Sequence, residues 1–287
     1  MRFSFVAVVC LLVSAACAEG QPPAPVVVLV HGRGHMEDDT AALRREWKAH
    51  LDTALVRAHV PPLPESDVRL AWYADALDPA LDGECRTVAP DTGGLATFAR
   101  DFLGSLAAAL PRNESREART LLGDMLYAVD PARRCAAQRR VGAVIDAAQA
   151  EGRPVIVVAY SLGALVSYAE LGNRTRAMSA RAPIRLITIG SPLGNPEIRE
   201  LLGEGSGPLR RPPAVESWEN IYHSDDPFAA PLSQDITDVV DRAIDADAGD
   251  NPHHVTRYLR ARATGMALAR AYCASVGQGV ARYCLAP

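Results

Sequence analysis

A single serine sits where a nucleophile could be made. The segment Val155-Ile156-Val157-Val158-Ala159-Tyr160-Ser161-Leu162-Gly163-Ala164-Leu165 runs from an apolar β-branched stretch, through a small-x-Ser-x-Gly pentapeptide, into a helix-forming stretch. A strand that reverses sharply into a helix at Ser161 needs small residues two places before and two places after it, and Ala159 and Gly163 meet that need. The hydroxyl would then stand above the C-terminal edge of a sheet, at the positive end of the following helix, where a negatively charged intermediate is favoured. The plainer reading is a strand-to-helix turn with an N-cap serine.

A serine nucleophile needs a base, and the usual chain order on such a turn is Ser, then Asp or Glu, then His. After Ser161 the histidines are His223, His253 and His254. His223 comes before any acid that fits the order. Asn251-Pro252-His253-His254-Val255 reads as a turn ahead of a helix, and His253 is the choice there, with His254 as its alternative. For the acid, Asp226 precedes Pro227, which biases its backbone away from helix and makes a turn. Asp226 is chosen over Asp225, Asp235 and Asp238. A plain Asp-Pro turn is the default without the other two members.

The oxyanion of a tetrahedral intermediate needs backbone donors. Val30-His31-Gly32-Arg33-Gly34 follows a buried strand, and its glycines let N–H groups come close. The N–H groups of Arg33 and of Leu162, the residue after the nucleophile, are the expected donors. The Arg33 side chain could bind an acidic substrate group or pair with a surface carboxylate. His31 and His35 lack a third ligand at metal spacing, so neither metal nor cofactor is expected.

The elements that must position these residues alternate. Val26–Val30, Val68–Trp72, Val155–Val158, Ile184–Ile189 and Trp218–Tyr222 read as strands; helices are expected near Thr40–His59, Glu117–Ala128, Arg133–Ala150, Leu162–Leu171 and Thr256–Ala274. This predicts an α/β class with a mostly parallel central sheet and helices on both faces. Leu232–Ala246 fits a helix or a strand plus turn. Residues 74–114 are too long for an ordinary connection and read as an inserted lid or active-site loop after the second visible strand. Asp241–Asp250 reads as a solvated acidic loop, its spacing matching no EF-hand.

Composition narrows the partners. The formal charge of −4 is small and no basic patch stands out, so a nucleic-acid partner is not expected. Residues 1–18 read as a signal peptide: Arg2, an apolar run from Phe3 to Ala16, and small residues ending at Ala18. That run is shorter than the about 20 residues a spanning helix needs, and the mature chain shows no transmembrane segment. Lipidation at Cys17 is the alternative. Residues 19–287 then form one domain, with a secreted or periplasmic location. Cys85, Cys135, Cys273 and Cys284 remain, and their spacing favours disulfides 85–135 and 273–284 over other pairings or a zinc site. Oligomeric state is not legible.

Taken together, Val30 to Gly34, the Ala71-Trp72-Tyr73-Ala74-Asp75 strand end, the Ser161 turn, Tyr222 to Pro227, and Asn251-Pro252-His253 with Tyr258-Leu259 resemble the α/β-hydrolase superfamily. The likeness is to bacterial secreted serine esterases and lipases, over about residues 24–275. It implies an α/β-hydrolase fold and a Ser161–Asp226–His253 triad acting through an acyl-enzyme on small-molecule or lipid esters. His253 gains support because such members tend to place the base five residues before a Tyr-Leu pair. Ala159 departs from the usual first glycine, and the strand expected between acid and base has no clear pattern. The alternatives are acyl transfer by the same triad and a catalytically silent binding module on the same fold.

Overall fold

The computed structural model describes residues 23–35, 38–77, 85, 127, 130–175, 182–195, 209–244, 251–276 and 284. Among these residues six strands form one sheet: β1 (Val26–Val30), β2 (Val68–Ala71), β3 (Val155–Tyr160), β4 (Ile184–Ile189), β5 (Val215–Tyr222) and β6 (Val239–Ala243). Their order is β2-β1-β3-β4-β5-β6, and every pairing is parallel. Every residue of β1, β3 and β4 is buried, as expected for strands covered on both faces; β4 buries Arg185 and Thr188 along with its apolar residues.

Among the described residues five α-helices cover the two faces: α1 (Thr40–Arg57), α2 (Pro131–Ala150), α3 (Leu162–Gly172), α4 (Val255–Arg260) and α5 (Arg262–Val276). Alternation along each strand divides the core. Val26, Val28, Val30, Val155 and Val157 pack with Ala137, Val141 and Ile145 of α2 and Val166 of α3. Val27, Leu29, Ile156, Val158 and Ile187 pack with Leu51 of α1, Leu259 of α4 and Leu268 of α5. Helix starts follow local chemistry. The Asp39 carboxylate accepts from the N–H groups of Ala41 and Ala42, and Asp130 caps α2 the same way with Pro131 at its first turn.

The structure revises several boundaries. β5 begins at Val215, three residues before the predicted start, and the added residues place exposed Glu216 and Ser217 between buried Val215 and Trp218 instead of running apolar. Within Leu232–Ala246, β6 pairs parallel with β5 from Trp218↔Val239 to Tyr222↔Ala243, so a strand does lie between Asp226 and His253. As an edge strand with one exposed face it carries Asp241 and Arg242, and this hides its periodicity. Asp241 is therefore not part of a solvated acidic loop. Its carboxylate accepts from the N–H groups of Leu232 and Ser233 and from the Asn220 amide.

The last predicted helix is two. Ala261 turns to extended geometry between α4 and α5; its N–H donates to the Tyr258 carbonyl at 3.2 Å, and the Thr264 hydroxyl donates to the same carbonyl at 2.6 Å. Residues 1–18, the helix near 117–128 apart from Tyr127, and all of the 74–114 segment except 74–77 and Cys85 lie outside the described residues. Both expected disulfides are present: Cys85–Cys135 ties that segment to α2, and Cys273–Cys284 ties α5 to the tail. Among the described residues no helix is long and apolar enough to cross a membrane.

One close approach sets how α5 meets α1. A Cβ on Gly265 would lie 2.1 Å from the carbonyl oxygen of Ala54, which is backbone and cannot swing away. Alanine is worth about 1 kcal/mol over glycine inside a helix, but overpacking a backbone contact costs about 1–3 kcal/mol. Gly265→Ala is therefore expected to lower stability in urea unfolding, despite its better helix propensity.

Candidate active site

Ser161 has φ 50° and ψ −122°, a left-handed backbone that a side chain rarely adopts. Packing imposes it. The Ser161 N–H donates to the Ile189 carbonyl at 3.1 Å, and the Ala164 N–H returns to the Ser161 carbonyl at 2.9 Å. A Cβ on Gly163 would lie 2.3 Å from the His31 carbonyl oxygen and 2.7 Å from that of Val30. Glycine there lets α3 start directly against the end of β1. Ala159 is buried in β3 between Val30 and Thr188, so a methyl group fits at the first small position.

Three elements far apart in the chain converge on this turn. Ser161 Oγ lies 2.9 Å from His253 Nε2, and His253 Nδ1 lies 2.7 Å from Asp226 Oδ2. Ser161 stands after β3, Asp226 after β5 and His253 after β6, all at C-terminal strand ends. A parallel sheet makes that convergence natural, because all its strands finish on the same side. The His253 side chain keeps 19% of its surface exposed, whereas that of Asp226 is fully buried. Solvent can thus reach the base but not the acid.

The neighbouring His254 is used differently, since its ring accepts from the Thr256 N–H and caps α4. Asp225 is exposed, and its own N–H donates to His223 Nδ1. Asp238 approaches Arg211 at 4.0 Å, and Asp235 is exposed in the turn before β6. None of these approaches Ser161 as His253 and Asp226 do.

Burial works to raise the Asp226 carboxyl. Hydrogen bonds from His253, from the Tyr258 hydroxyl and from the Phe228 N–H outweigh it and hold the group below the ordinary carboxylate range. Asp226 is therefore ionised when it faces the imidazole. Its loop is tied down from below: Asn220 donates to the Ala230 carbonyl, and Asp241 holds the N–H groups of Leu232 and Ser233.

Of the two expected oxyanion donors, only Leu162 is adjacent to the serine in the chain. Leu162 opens α3, and Arg33 lies in the loop after β1. That loop is pressed on the turn, since a Cβ on Gly32 would meet the Tyr160 ring at 2.8 Å and Ser161 Cβ at 3.3 Å. Arg33 is exposed, and its charge acts on Tyr160.

His31 holds the same loop from within. Its Nε2 accepts the Tyr73 N–H at 3.2 Å, so the ring proton must be on Nδ1, which donates to the Gly32 carbonyl at 2.7 Å. The Tyr73 ring stacks on it with centroids 4.1 Å apart, and the Tyr73 hydroxyl donates to the His31 carbonyl. Both ring nitrogens are engaged by backbone, which leaves no lone pair for a metal. Among the described residues no three His, Cys, Asp or Glu converge as metal ligands.

Sequence reasoning missed three tyrosines. Tyr73 stacks on His31, the Tyr160 hydroxyl donates to the His253 carbonyl, and the Tyr258 hydroxyl donates to Asp226. Tyr160 and Tyr258 were visible as motif neighbours, but their partners are distant in sequence. A cavity of about 570 Å³ is lined by Arg210, Arg211, Val215 and Asp238. It opens where β5 and β6 begin, at the opposite end of the sheet from Ser161. Compared with protein-family models and with curated proteins, the chain gives no match in either.

Burial and the neighbouring His35 depress the His31 ring to about 3, against the weaker opposing hydrogen bond to Gly32. A histidine whose folded value lies below its unfolded value adds stability that is present above about pH 6.5 and lost as pH falls. Between about pH 6 and pH 3 this one group is expected to cost roughly 1.4 kcal/mol of stability per pH unit. Urea unfolding across that range measures the slope, and NMR of the His31 ring should show it still neutral at pH 4.5.

Proposed function

We propose that the chain is an exported serine hydrolase of the α/β-hydrolase type that cleaves carboxylic esters. The observation that carries this reading is the continuous chain Ser161 Oγ to His253 Nε2 at 2.9 Å and His253 Nδ1 to Asp226 Oδ2 at 2.7 Å, on a serine with left-handed backbone. The strand order supports it as well, because nucleophile, acid and base follow β3, β5 and β6, in that order toward one edge of the sheet.

In this mechanism Ser161 Oγ attacks the ester carbonyl carbon while His253 Nε2 takes its proton. Asp226, ionised by its own hydrogen bonds, holds the imidazole by Nδ1 and stabilises the imidazolium. The N–H groups of Arg33 and Leu162 receive the negative charge that develops on the carbonyl oxygen. The carbon–oxygen bond to the alcohol breaks, and the alcohol leaves with the proton from His253. A water molecule then attacks the acyl-enzyme, giving its proton to His253, and the acid departs as Ser161 recovers its hydrogen. No step calls for metal or cofactor.

The substrate class is a small-molecule or lipid ester, with residues 74–114 as an inserted lid that Cys85–Cys135 tethers to α2. The two disulfides support a secreted or periplasmic location, since such bonds persist in oxidising compartments.

A fluorophosphonate probe is expected to label Ser161 in the folded protein, and a folded protein whose Ser161 stays unlabelled would sink the proposal. On p-nitrophenyl esters, Ser161→Ala should reduce kcat on the order of 10⁶-fold, and Asp226→Asn on the order of 10⁴-fold, the scale known from serine proteases. An optimum at acetate or butyrate would assign an esterase, and one at long acyl chains a lipase. Acyl exchange into an added alcohol without hydrolysis would reassign the triad to transfer.

A further inference from the structure

The catalytic proposal uses one donor on Asp226, yet the carboxylate has three. Oδ1 accepts the Phe228 N–H at 2.9 Å. Oδ2, the oxygen that receives the His253 ring, also accepts the Tyr258 hydroxyl at 2.5 Å. Tyr258 comes from α4, 32 residues after Asp226, and is fully buried. Its ring has little freedom: a Cβ on Gly190 would lie 3.1 Å from it, and Gly190 has φ 58°, where glycine is favoured. The Tyr258 hydroxyl donates to the Asp226 carboxylate, and burial together with that negative charge raises the phenol well above its ordinary range.

We infer that Tyr258 is a positioning residue for the proposed reaction: from α4 its hydroxyl fixes the rotation of the Asp226 carboxylate and draws negative charge from the oxygen that holds His253. The inference rests on the triad reading above. A plain Asp–His pair can rotate about the carboxylate bond and present either oxygen; here each oxygen has a fixed donor, so the ring meets one orientation. The same bond spreads the Asp226 charge, which lessens its pull on the imidazole proton. Tyr258 thus moderates the basicity of the pair while fixing its direction.

The groups that face the pair come from four elements. Tyr160 faces it from the end of β3 and Ser161 from the turn that follows, Tyr258 from α4, and Phe228 from the loop after β5, where the neighbouring Asp225 is exposed and bonded through its N–H to His223 Nδ1. Arg33 acts from the loop after β1, through Tyr160. Tyr160 donates its proton to the His253 carbonyl rather than to either member, so Tyr258 is the phenol that bonds the acid.

The test uses the full chain in three forms: wild type, Tyr258→Phe, and the protein with 3-fluorotyrosine at position 258. The carboxyl of Asp226 is titrated by carbon NMR without substrate, and the pH dependence of Ser161 phosphonylation is followed in parallel. Losing the donor should move the Asp226 titration and the acid limb of labelling up by about 0.5–1 pH unit. Labelling at neutral pH should fall about tenfold as the orientation loosens. Fluorotyrosine, a stronger donor of nearly the same shape, should move both in the opposite direction. A folded Tyr258→Phe protein with the wild-type carboxyl titration overturns the inference, because a purely structural tyrosine would change melting temperature alone. Should that variant not fold, an unmoved titration in the fluorotyrosine protein overturns it instead. Failure of the esterase reading looks different: the wild type neither labels nor turns over, while the carboxyl titration still reports on Tyr258.

Discussion

Between β3 and α3 the backbone reverses within one residue, and no Cβ can be accommodated where Gly163 meets the carbonyls of Val30 and His31. That contact lets the helix begin at the strand end and leaves Ser161 in its left-handed conformation. A conformation of this kind costs about 1–3 kcal/mol and persists only where its surroundings over-determine it. Here the surroundings are β1, β3 and β4, all buried and in parallel register, with the Ser161 N–H taken by Ile189. The loop after β1 is drawn into the same contact, so the turn and the expected oxyanion loop are positioned by one packing event.

Around this point the electrostatics are arranged by burial more than by net charge. Asp226 is removed from solvent yet kept ionised by three donors, whereas His31 is removed from solvent and kept neutral by a backbone N–H on Nε2. The two groups illustrate opposite outcomes of desolvation. A carboxylate surrounded by donors keeps its charge; an imidazole that must accept from the backbone cannot gain one. Both outcomes serve the same region, since His31 supports the loop beside Ser161 and Asp226 faces His253.

The edge of the sheet matters because acid and base are carried by its last two strands. β6 is short and exposed on one face, and it pairs in parallel with β5, whose end carries Asp226. A polar ladder ties this edge to the interior: Trp218 donates to Thr188, Thr188 to Asn220, and Asn220 to Asp241. Such buried polar groups are stabilising only when every member has a partner. Asp241 completes the ladder and at the same time closes the loop that bears Asp226.

By itself the sequence determined what depends on neighbours in the chain. Apolar β-branched runs marked β1 and β3, the small residues around Ser161 marked the strand-to-helix turn, and Asp226-Pro227 and Pro252-His253 marked turns. These signals are local because side-chain period and backbone sterics act over a few residues. The tertiary structure alone decided which of two adjacent histidines reaches Ser161, 92 residues away, and which becomes a helix cap. It alone revealed β6, the break at Ala261, the neutral state of His31 and the Tyr258 hydroxyl on Asp226. Each of these turns on a hydrogen bond or a burial made by residues distant in sequence, and a chain read in order carries no period or spacing that records such a contact.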